Sequence, residues 1–406
     1  MRHLKPWRLG ARTRPVLAVA AAMCTVALVA AGCSGDTTGG GDGGADAMSS
    51  APPATGAQAL SGVCPNKVVI QLDWFPESEY GGYFQLLGPN PKIDNNKKSI
   101  TGELLSRGKD TGVQLEIRSG GPAIGYQQVS AQMYVDKSIT FGVVPTDESV
   151  QNSLKQPTTA VFAPFDISPI MIMWDKKAFP NFRSIVDIGQ TNTKVLYYQT
   201  DTYMQYLLGA GILKASQIDG SYDGSPSRWV ASSGKVAEAG FATSEPYIYA
   251  HELGSGQSYD VDLQLVNDTG YPMYGESLTV RSGDVASLTP CLKRLVPIFQ
   301  QGLVDFMTSP NATNALIVRD VQSGDASAWT YDAGLANFAV NAMKNRGIVS
   351  NGTNSTIGDM QSSRVQRLIG ILTPIFSGQK KELKPGLKPA DLFTNQFLDP
   401  AIGLKN

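Results

Sequence analysis

A short stretch, residues 67–88, constrains the fold more than any other part of the chain, and its sequence is KVVIQLDWFPESEYGGYFQLLG. It begins with an apolar run rich in β-branched side chains, which predicts a buried strand over 68–72. Pro76 ends that strand because proline cannot donate a hydrogen bond to a neighbouring strand. Two glycines follow, and residues 83–88 then predict the start of a helix. The stretch is therefore a strand, a turn and a helix, with aromatic and acidic side chains crowded into the turn.

The same order of elements recurs along the chain. Further buried strands are predicted over 113–117, 138–144 and 159–165. Helices are predicted over 101–107, 123–132 and 147–155. Repeated units of strand, turn and helix favour an α/β fold with a mostly parallel sheet. In such sheets ligands bind at the carboxyl ends of the strands, where the turns lie.

The length of 406 residues favours two lobes rather than one core. Polar residues interrupt strand 159–165 before an apolar run resumes at 169, which is typical of a chain crossing between lobes. A second polar interruption, over 268–274, follows a predicted strand over 262–266, and residues 277–282 then return to the first lobe. We therefore predict hinges at 166–168 and 269–272, a first lobe over 66–165 and 272–406, and a second lobe over 166–271.

The N-terminus has the pattern of a secretory signal. Basic residues precede an apolar stretch over 16–31, which is too short and too rich in alanine for a transmembrane helix. It ends at Ala30-Ala31-Gly32-Cys33, which resembles a bacterial lipobox whose cysteine is lipidated and becomes the mature N-terminus. The alternative is that Cys33 is an ordinary residue beside a conventional cleavage site.

We thus predict a signal peptide over 1–32 and a lipidated, flexible linker over 33–65. As far as Leu60 this linker has almost nothing to bury and cannot offset its own ordering entropy. Beyond it, Cys64 and Cys291 are the natural disulfide pair in an oxidising compartment, with two separate thiols as the alternative.

The net charge and the motifs of the chain argue against several classes of partner and cofactor. The formal net charge of −1 argues against nucleic acid or an anionic membrane surface as the main partner. The sequence contains no phosphate-binding glycine loop, zinc motif or CxxC redox motif, so we predict no cofactor and no metal.

A resemblance to a known family rests on residues 72–82, LDWFPESEYGG. This segment is similar to the signature Leu-Asp-Trp-x-Pro-Asn-x-x-His-x-Gly of thiamine-pyrimidine-type periplasmic substrate-binding proteins of ABC importers, a superfamily that also holds riboflavin, nitrate and alkanesulfonate binders. Glu77 replaces the asparagine of the signature, and Tyr80 replaces its histidine. Supporting segments are Gly120-Gly121-Pro122, FGVVPTDE at 141–148 and ATSEPY at 242–247.

The resemblance implies a periplasmic-binding-protein-like fold of type II, in which two α/β lobes are joined by two hinge crossings and close on a solute. It also implies a monomer that works outside the cytoplasm, delivers its solute to the membrane permease of an ABC importer and performs no enzymatic step. With the lipobox, it places the protein on the outer face of a bacterial cytoplasmic membrane, anchored by lipid in the outer leaflet after export by the Sec route.

Turns at the predicted strand ends supply the candidate binding side chains. They combine aromatic rings, which remove ligand surface from water, with carboxylates, which accept hydrogen bonds. We predict a ligand site formed by Asp73, Trp74, Phe75, Tyr80, Asp147, Tyr203, Glu245, Tyr247 and Tyr271. These residue types suit a planar heteroaromatic or cationic solute with N–H donors better than a bare anion, which would need arginine, lysine or several helix N-termini.

Other functions remain open at this stage. One is a nitrate, alkanesulfonate or taurine-type anion binder of the same superfamily. Another is an enzyme on this fold that resembles the pyrimidine synthases, although the predicted mature chain has only His251 and no cysteine cluster. The third is a surface adhesin or sensor that uses the cleft without transport.

Overall fold

The structure is a computed structural model that describes residues 51–251, 253, 256–324 and 329–405. The predicted signal peptide, Cys33 and most of the predicted linker lie outside the described residues. Within the described part of the chain, no helix combines the length and apolar character needed to cross a membrane.

The strands are β1 (Lys67–Gln71), β2 (Lys92–Asp94), β3 (Ser99–Ser106), β4 (Lys109–Arg118), β5 (Phe141–Val143), β6 (Thr158–Phe162), β7 (Ile170–Asp175), β8 (Val195–Leu196), β9 (Ile218–Asp219), β10 (Ala237–Phe241), β11 (Val261–Leu265) and β12 (Leu278–Arg281). The helices are α1 (Gly81–Phe84), α2 (Val129–Val135), α3 (Thr146–Gln151), α4 (Ile185–Gly189), α5 (Tyr203–Gly209), α6 (Ser227–Ala231), α7 (Glu245–His251), α8 (Val285–Thr308), α9 (Asn311–Ser323), α10 (Ala333–Asn345) and α11 (Ser362–Gly378).

The strands form two separate sheets. A seven-stranded sheet has the order β2-β3-β4-β1-β5-β12-β6, and a five-stranded sheet has the order β11-β7-β10-β8-β9. Strand β1 lies inside the first sheet because its Val68, Val69 and Ile70 are all buried. With helices packed around them, the two sheets confirm the predicted class, an α/β protein of two lobes.

The first sheet is mixed rather than mostly parallel, which corrects the prediction. Strand β1 pairs in parallel with β4 and β5. Strand β12, however, is antiparallel to both β5 and β6, because the chain returns to this sheet from the other lobe. The edge β2-β3-β4 is antiparallel as well.

The predicted helix over 101–107 is wrong, because these residues belong to strand β3 and the turn that follows. Arg107 and Gly108 both adopt left-handed backbone angles, with φ of 50° and 74°. Two successive residues of this kind make the tight turn that matches the twist of a hairpin. Strands β3 and β4 therefore pair directly through this Arg-Gly turn.

The prediction of a flexible linker is wrong for residues 52–60. Leu60 is fully buried, and its N–H donates to the carbonyl of Thr111 at 2.8 Å. Ala54 likewise donates to Asp110 at 2.7 Å. Residues 52–60 therefore pack on the β3-β4 hairpin instead of remaining free. Nearby, Cys64 and Cys291 are joined by a disulfide with a Cα–Cα distance of 4.7 Å, which connects this segment to α8.

The chain passes from the first sheet to the second between β6 and β7, and it returns between β11 and β12. Helix α11 lies across this junction, because it packs against α3, which follows a strand of the first sheet, and against α5, which follows a strand of the second. Its Val365, Leu368 and Leu372 share a buried apolar cluster with Met204 and Leu207 of α5.

Candidate functional site

A cavity of about 150 Å³ lies between the two sheets, at the carboxyl ends of their strands. From the first sheet it is lined by the turn after β1 and by the residues that link β5 to α3. From the second sheet it is lined by the segment between β8 and α5 and by the end of β10. This is the position at which α/β sheets bind their ligands.

Two glycines hold the turn after β1 in place. The N–H of Gly120 donates to the carbonyl of Trp74 at 2.7 Å, and the N–H of Gly121 donates to that of Asp73 at 2.8 Å. A Cβ at Gly120 would lie 2.3 Å from the carbonyl oxygen of Leu72, so a larger residue would push the two turns apart. The glycine turn thus holds the backbone of Asp73 and Trp74, the first two predicted binding residues, in place.

Carboxylates are the main polar groups of the cavity, and tyrosine hydroxyls orient four of them. Tyr80 donates to Asp73 at 2.7 Å, Tyr271 to Asp147 at 2.9 Å, Tyr203 to Asp201 at 2.7 Å and Tyr222 to Glu245 at 2.9 Å. Glu245 also accepts from the N–H of Phe241 at 2.7 Å. Each of these acids is therefore held in one orientation by a neutral donor rather than by a cation.

The buried position of these acids favours their neutral forms. Burial raises the pKa of Asp73 and of Asp147 to about 6, although the tyrosine hydrogen bonds oppose the shift. Burial and the nearby charges of Asp147 and Asp73 raise the pKa of Asp201 to about 8. Burial likewise raises the pKa of Glu148 to about 7.

Two further acids line the cavity with an oxygen that lacks a partner. The Oε2 atoms of Glu77 and Glu276 are buried and accept no hydrogen bond. Burial, followed by the charges of neighbouring acids, raises the pKa of both carboxyls well above the usual range. Within the described part of the chain, no lysine, arginine or histidine lines the cavity.

Aromatic rings form the apolar walls. The Trp74 ring meets Tyr198 edge-on at a centroid distance of 5.3 Å and meets Trp329 edge-on at 6.1 Å. Phe75 lies behind and stacks on Trp329 at 5.4 Å, with the ring planes 3° apart. Because Trp74 follows β1 and Tyr198 follows β8, rings from both sheets meet at the cavity.

The structure divides the predicted site residues into two groups. Asp73, Trp74, Asp147, Tyr203 and Glu245 line the cavity. Four others lie outside its lining, namely Phe75, Tyr80, Tyr247 and Tyr271. Of these, Tyr80 and Tyr271 act on the cavity through the acids to which they donate.

Tyr247 faces a different neighbourhood from the one predicted. Its ring stacks on His251 at 4.4 Å and packs against Phe338 at 5.5 Å. One turn of helix separates Tyr247 from His251, so the stacked pair lies along the surface of α7.

The nine predicted residues leave out several that line the cavity, among them Glu77, Glu148, Tyr198, Asp201, Tyr222, Glu276 and Trp329. Tyr198 and Glu148 lie beside predicted strand ends, so the same rule would have included them. Trp329 and Glu276 carry no such signal, because their place at the cavity depends on contacts between distant segments.

Within the described residues, no group of three or more His, Cys, Asp or Glu side chains is arranged to hold a metal ion. The lining of the cavity supplies carboxyl oxygens, which accept hydrogen bonds, and the faces of aromatic rings.

Comparison with known proteins reveals similarity to solved structures. No family model matches the chain, and no curated protein matches it. A structure of a protein from Bordetella bronchiseptica RB50 is similar over 82% of this chain and 96% of its own, with 14% identity and a TM-score of 0.50. This similarity shows a shared fold.

Other similar structures are named for what they bind. A putative sulfonate ABC transporter, periplasmic sulfonate-binding protein SsuA, from Methylobacillus flagellatus KT covers 82% of this chain and 92% of its own, with 12% identity and a TM-score of 0.48. The periplasmic nitrate-binding protein NrtA from Synechocystis PCC 6803 covers 82% and 87%, with 9% identity and a TM-score of 0.48.

Proposed function

We propose that this protein is an extracytoplasmic solute-binding protein that captures a small planar heteroaromatic solute between its two lobes and delivers it to an ABC importer. The observation that carries the proposal is the cavity between the sheets, where Trp74 and Tyr198 approach from opposite lobes above a floor of carboxylates. A site of apolar walls with a few fixed polar groups is the usual form of a small-molecule pocket.

The polar groups of the cavity match a heterocycle. Tyr198 presents a buried hydroxyl without a partner, and Trp329 presents an indole N–H without one. A ring nitrogen or carbonyl of the solute would accept from these donors, while exocyclic N–H groups would donate to the carboxylates. Aromatic pairs contribute about 0.5–1.5 kcal/mol each beyond the burial of area, so stacking on Trp74 would favour a flat solute.

Closure of the lobes around the solute would retain it in the cavity. The chain crosses between the sheets twice, and the proposed hinges at 166–168 and 269–272 lie in these crossings. A solute that touches both lobes binds the closed form better than the open one, and this difference in affinity shifts the population. The proposed lipid anchor at Cys33 would keep the protein beside the permease.

An anion binder of the same superfamily is the second candidate, and the cavity disfavours it. A nitrate or sulfonate would enter beside Asp73, Glu77 and Asp147 with no lysine, arginine or histidine among the lining residues that the structure describes. Placing an anion among buried carboxylates adds repulsion to the cost of its desolvation.

An enzyme of the pyrimidine-synthase kind gains no support from the site. His251 lies on α7, stacked on Tyr247, and is not among the residues that line the cavity. The acids are not arranged as a metal group within the described residues.

The proposal is tested by a thermal-shift screen with aminopyrimidines, thiamine, flavins, nitrate and alkanesulfonates. A solute present at 100 times its Kd adds about 2.7 kcal/mol to the free energy of unfolding. We expect stabilisation by a planar heterocycle and loss of that effect in Trp74→Ala. Phe179→Ala is the matched control. The ring of Phe179 stacks on that of Phe182, with 4.6 Å between the ring centres, and neither residue lines the cavity. Selective stabilisation by nitrate or a sulfonate would contradict the proposal.

A further inference from the structure

Two of the carboxylates in the cavity have capacity that the protein itself does not use. Asp73, Asp147, Asp201 and Glu245 each accept a tyrosine hydroxyl. Glu148 accepts the N–H of Ser130 at 3.0 Å. Glu77 and Glu276, each only 2% exposed, retain a buried Oε2 without a hydrogen-bond partner. A buried acceptor left unpaired loses its hydrogen bonds to water without replacing them, so these atoms are where a ligand gains most.

The backbone holds Glu276 in place at a cost. Its φ of 54° lies in the left-handed region, where a residue with a side chain is uncommon. Strained backbone of this kind destabilises the folded state and tends to occur at binding sites. Glu276 lies between the second crossing and β12, and its strained backbone fixes a carboxylate at the cavity.

The same two acids have no counter-charge. The ion pairs of the described residues lie elsewhere, for example between Arg118 and Asp136 at 2.8 Å and between Arg281 and Asp284 at 2.6 Å. Glu77 instead faces the charges of further acids, among them Glu245 from the second sheet. Acids from both sheets are therefore close together here, and a positive group between them would stabilise their ionised forms.

We infer that the solute carries a positively charged N–H group, such as an amidinium, a guanidinium or a protonated amine, which binds between Glu77 and Glu276. The inference rests on the proposed function and deepens it by assigning the charge of the solute. Charge-assisted N–H bonds to a carboxylate are about twice as strong as neutral ones, and a planar amidinium donates two of them in parallel.

The aromatic walls fit the same cation. A positive group within about 6 Å of the centre of an indole ring is attracted to the face of that ring, and more strongly where water is excluded. Trp74 and Trp329 both line the cavity. A flat cation would thus place its ring or its charge against indole while its N–H groups reach the two glutamates.

Three compounds of nearly equal shape test the charge directly. Benzamidine is a planar cation, benzamide is its neutral counterpart and benzoate is its anion. Titration calorimetry of the purified protein at pH 7.5 compares their affinities. We expect benzamidine to bind at least about tenfold more tightly than benzamide, a factor that corresponds to about 1.4 kcal/mol, and benzoate not to bind. We also expect the heat of benzamidine binding to depend on the buffer, because a cation would displace protons from the acids, whereas benzamide would show no such dependence.

Glu77→Gln and Glu276→Gln remove the charge and keep the shape. Each is expected to weaken benzamidine binding by about tenfold or more and to weaken benzamide binding by a clearly smaller factor, because only the cation gains from the charge of the carboxylate. The matched control is Glu238→Gln, because Glu238 is a fully buried acid that is hydrogen-bonded to Tyr249 and does not line the cavity. Circular dichroism of each variant verifies that it is folded.

Piperidine and tetrahydropyran, a saturated cation and its neutral analogue, separate the two proposals. If benzamide binds as well as benzamidine, the charge inference is overturned while the planar site stands. If piperidine binds in a Glu77-dependent way and the flat rings do not, the planar part of the proposed function is wrong and the charge inference stands. Failure of both cations to bind, or tighter binding of benzoate, overturns the inference.

Discussion

The guanidinium of Arg364 lies 3.8 Å from the centre of the Tyr274 ring. From this position it donates to the carbonyl of Asp166 at 2.6 Å in the first crossing. It also donates to the carbonyls of Pro272 and Met273, at 3.0 and 2.8 Å, in the second. One side chain of α11 therefore joins both chain crossings, which are the segments proposed as hinges.

Loss of this arginine should loosen the junction. Arg364→Met keeps much of the side-chain volume but removes every donor, leaving three carbonyls and the Asp166 carboxylate without it. We expect the free energy of unfolding to fall by about 2–4 kcal/mol, as measured by urea denaturation. The free energy of unfolding of Arg364→Lys should lie between that of Arg364→Met and that of the unmodified protein. An ammonium retains the charge over Tyr274 but cannot donate to all the carbonyls.

The control for this experiment is Arg346→Met on the exposed end of α10, which should change stability by less than about 0.5 kcal/mol. Equal stability of Arg364→Met and the unmodified protein would show that the arginine does not hold the crossings together.

Stability of the ligand-free protein should depend on pH in an unusual direction. Folding raises the carboxyl pKa of Asp73 to about 6, of Glu79 to about 7 and of Asp201 to about 8, all above their unfolded values. Between pH 5 and pH 8 the folded state therefore binds more protons than the unfolded state, so the free energy of unfolding falls as pH rises.

Each unit of pKa shift corresponds to about 1.4 kcal/mol, so we expect a decrease of at least a few kcal/mol between pH 5 and pH 8, as followed by the denaturation midpoint in urea. Asp201→Asn should flatten the upper part of this curve, because it removes a group whose pKa in the folded protein is about 8. Stability that rises from pH 5 to pH 8 would mean that these acids are ionised and paired in the folded protein.

The disulfide between Cys64 and Cys291 closes a loop of 227 residues in sequence separation. Loop entropy alone assigns about 5 kcal/mol to so long a loop, as an upper bound. We expect the double variant Cys64→Ala/Cys291→Ala to unfold at a lower urea concentration. The corresponding loss in the free energy of unfolding should not exceed that bound. Non-reducing peptide mapping should recover the two cysteines in one linked peptide, and recovery of both as free thiols would contradict the bridge.

The sequence predicted well where one segment decides the outcome. Strand β1 and its turn follow from an apolar run ended by Pro76, and the turn does line the cavity with Asp73 and Trp74. The hairpin of β3 and β4 was missed because two left-handed residues at Arg107 and Gly108 are not visible as a turn in a polar segment.

The direction of side chains is the other feature of the site that the sequence does not predict. The sequence predicts that Tyr80 and Tyr271 lie near the site, but it does not predict the direction of their hydroxyls. These hydroxyls donate to Asp73 and Asp147. Glu276 was missed for a related reason, because its burial and its left-handed backbone arise from the return of the chain to the first sheet.

A crystal structure of the protein with the most strongly stabilising compound of the screen tests the central claim most directly. We predict that the compound lies between the lobes with its flat face on Trp74 and with nitrogen atoms within about 3 Å of the Glu77 and Glu276 carboxylates, the distance of a hydrogen bond. A compound bound outside this cavity, or held there by backbone N–H groups with the two carboxylates turned away, would contradict the account.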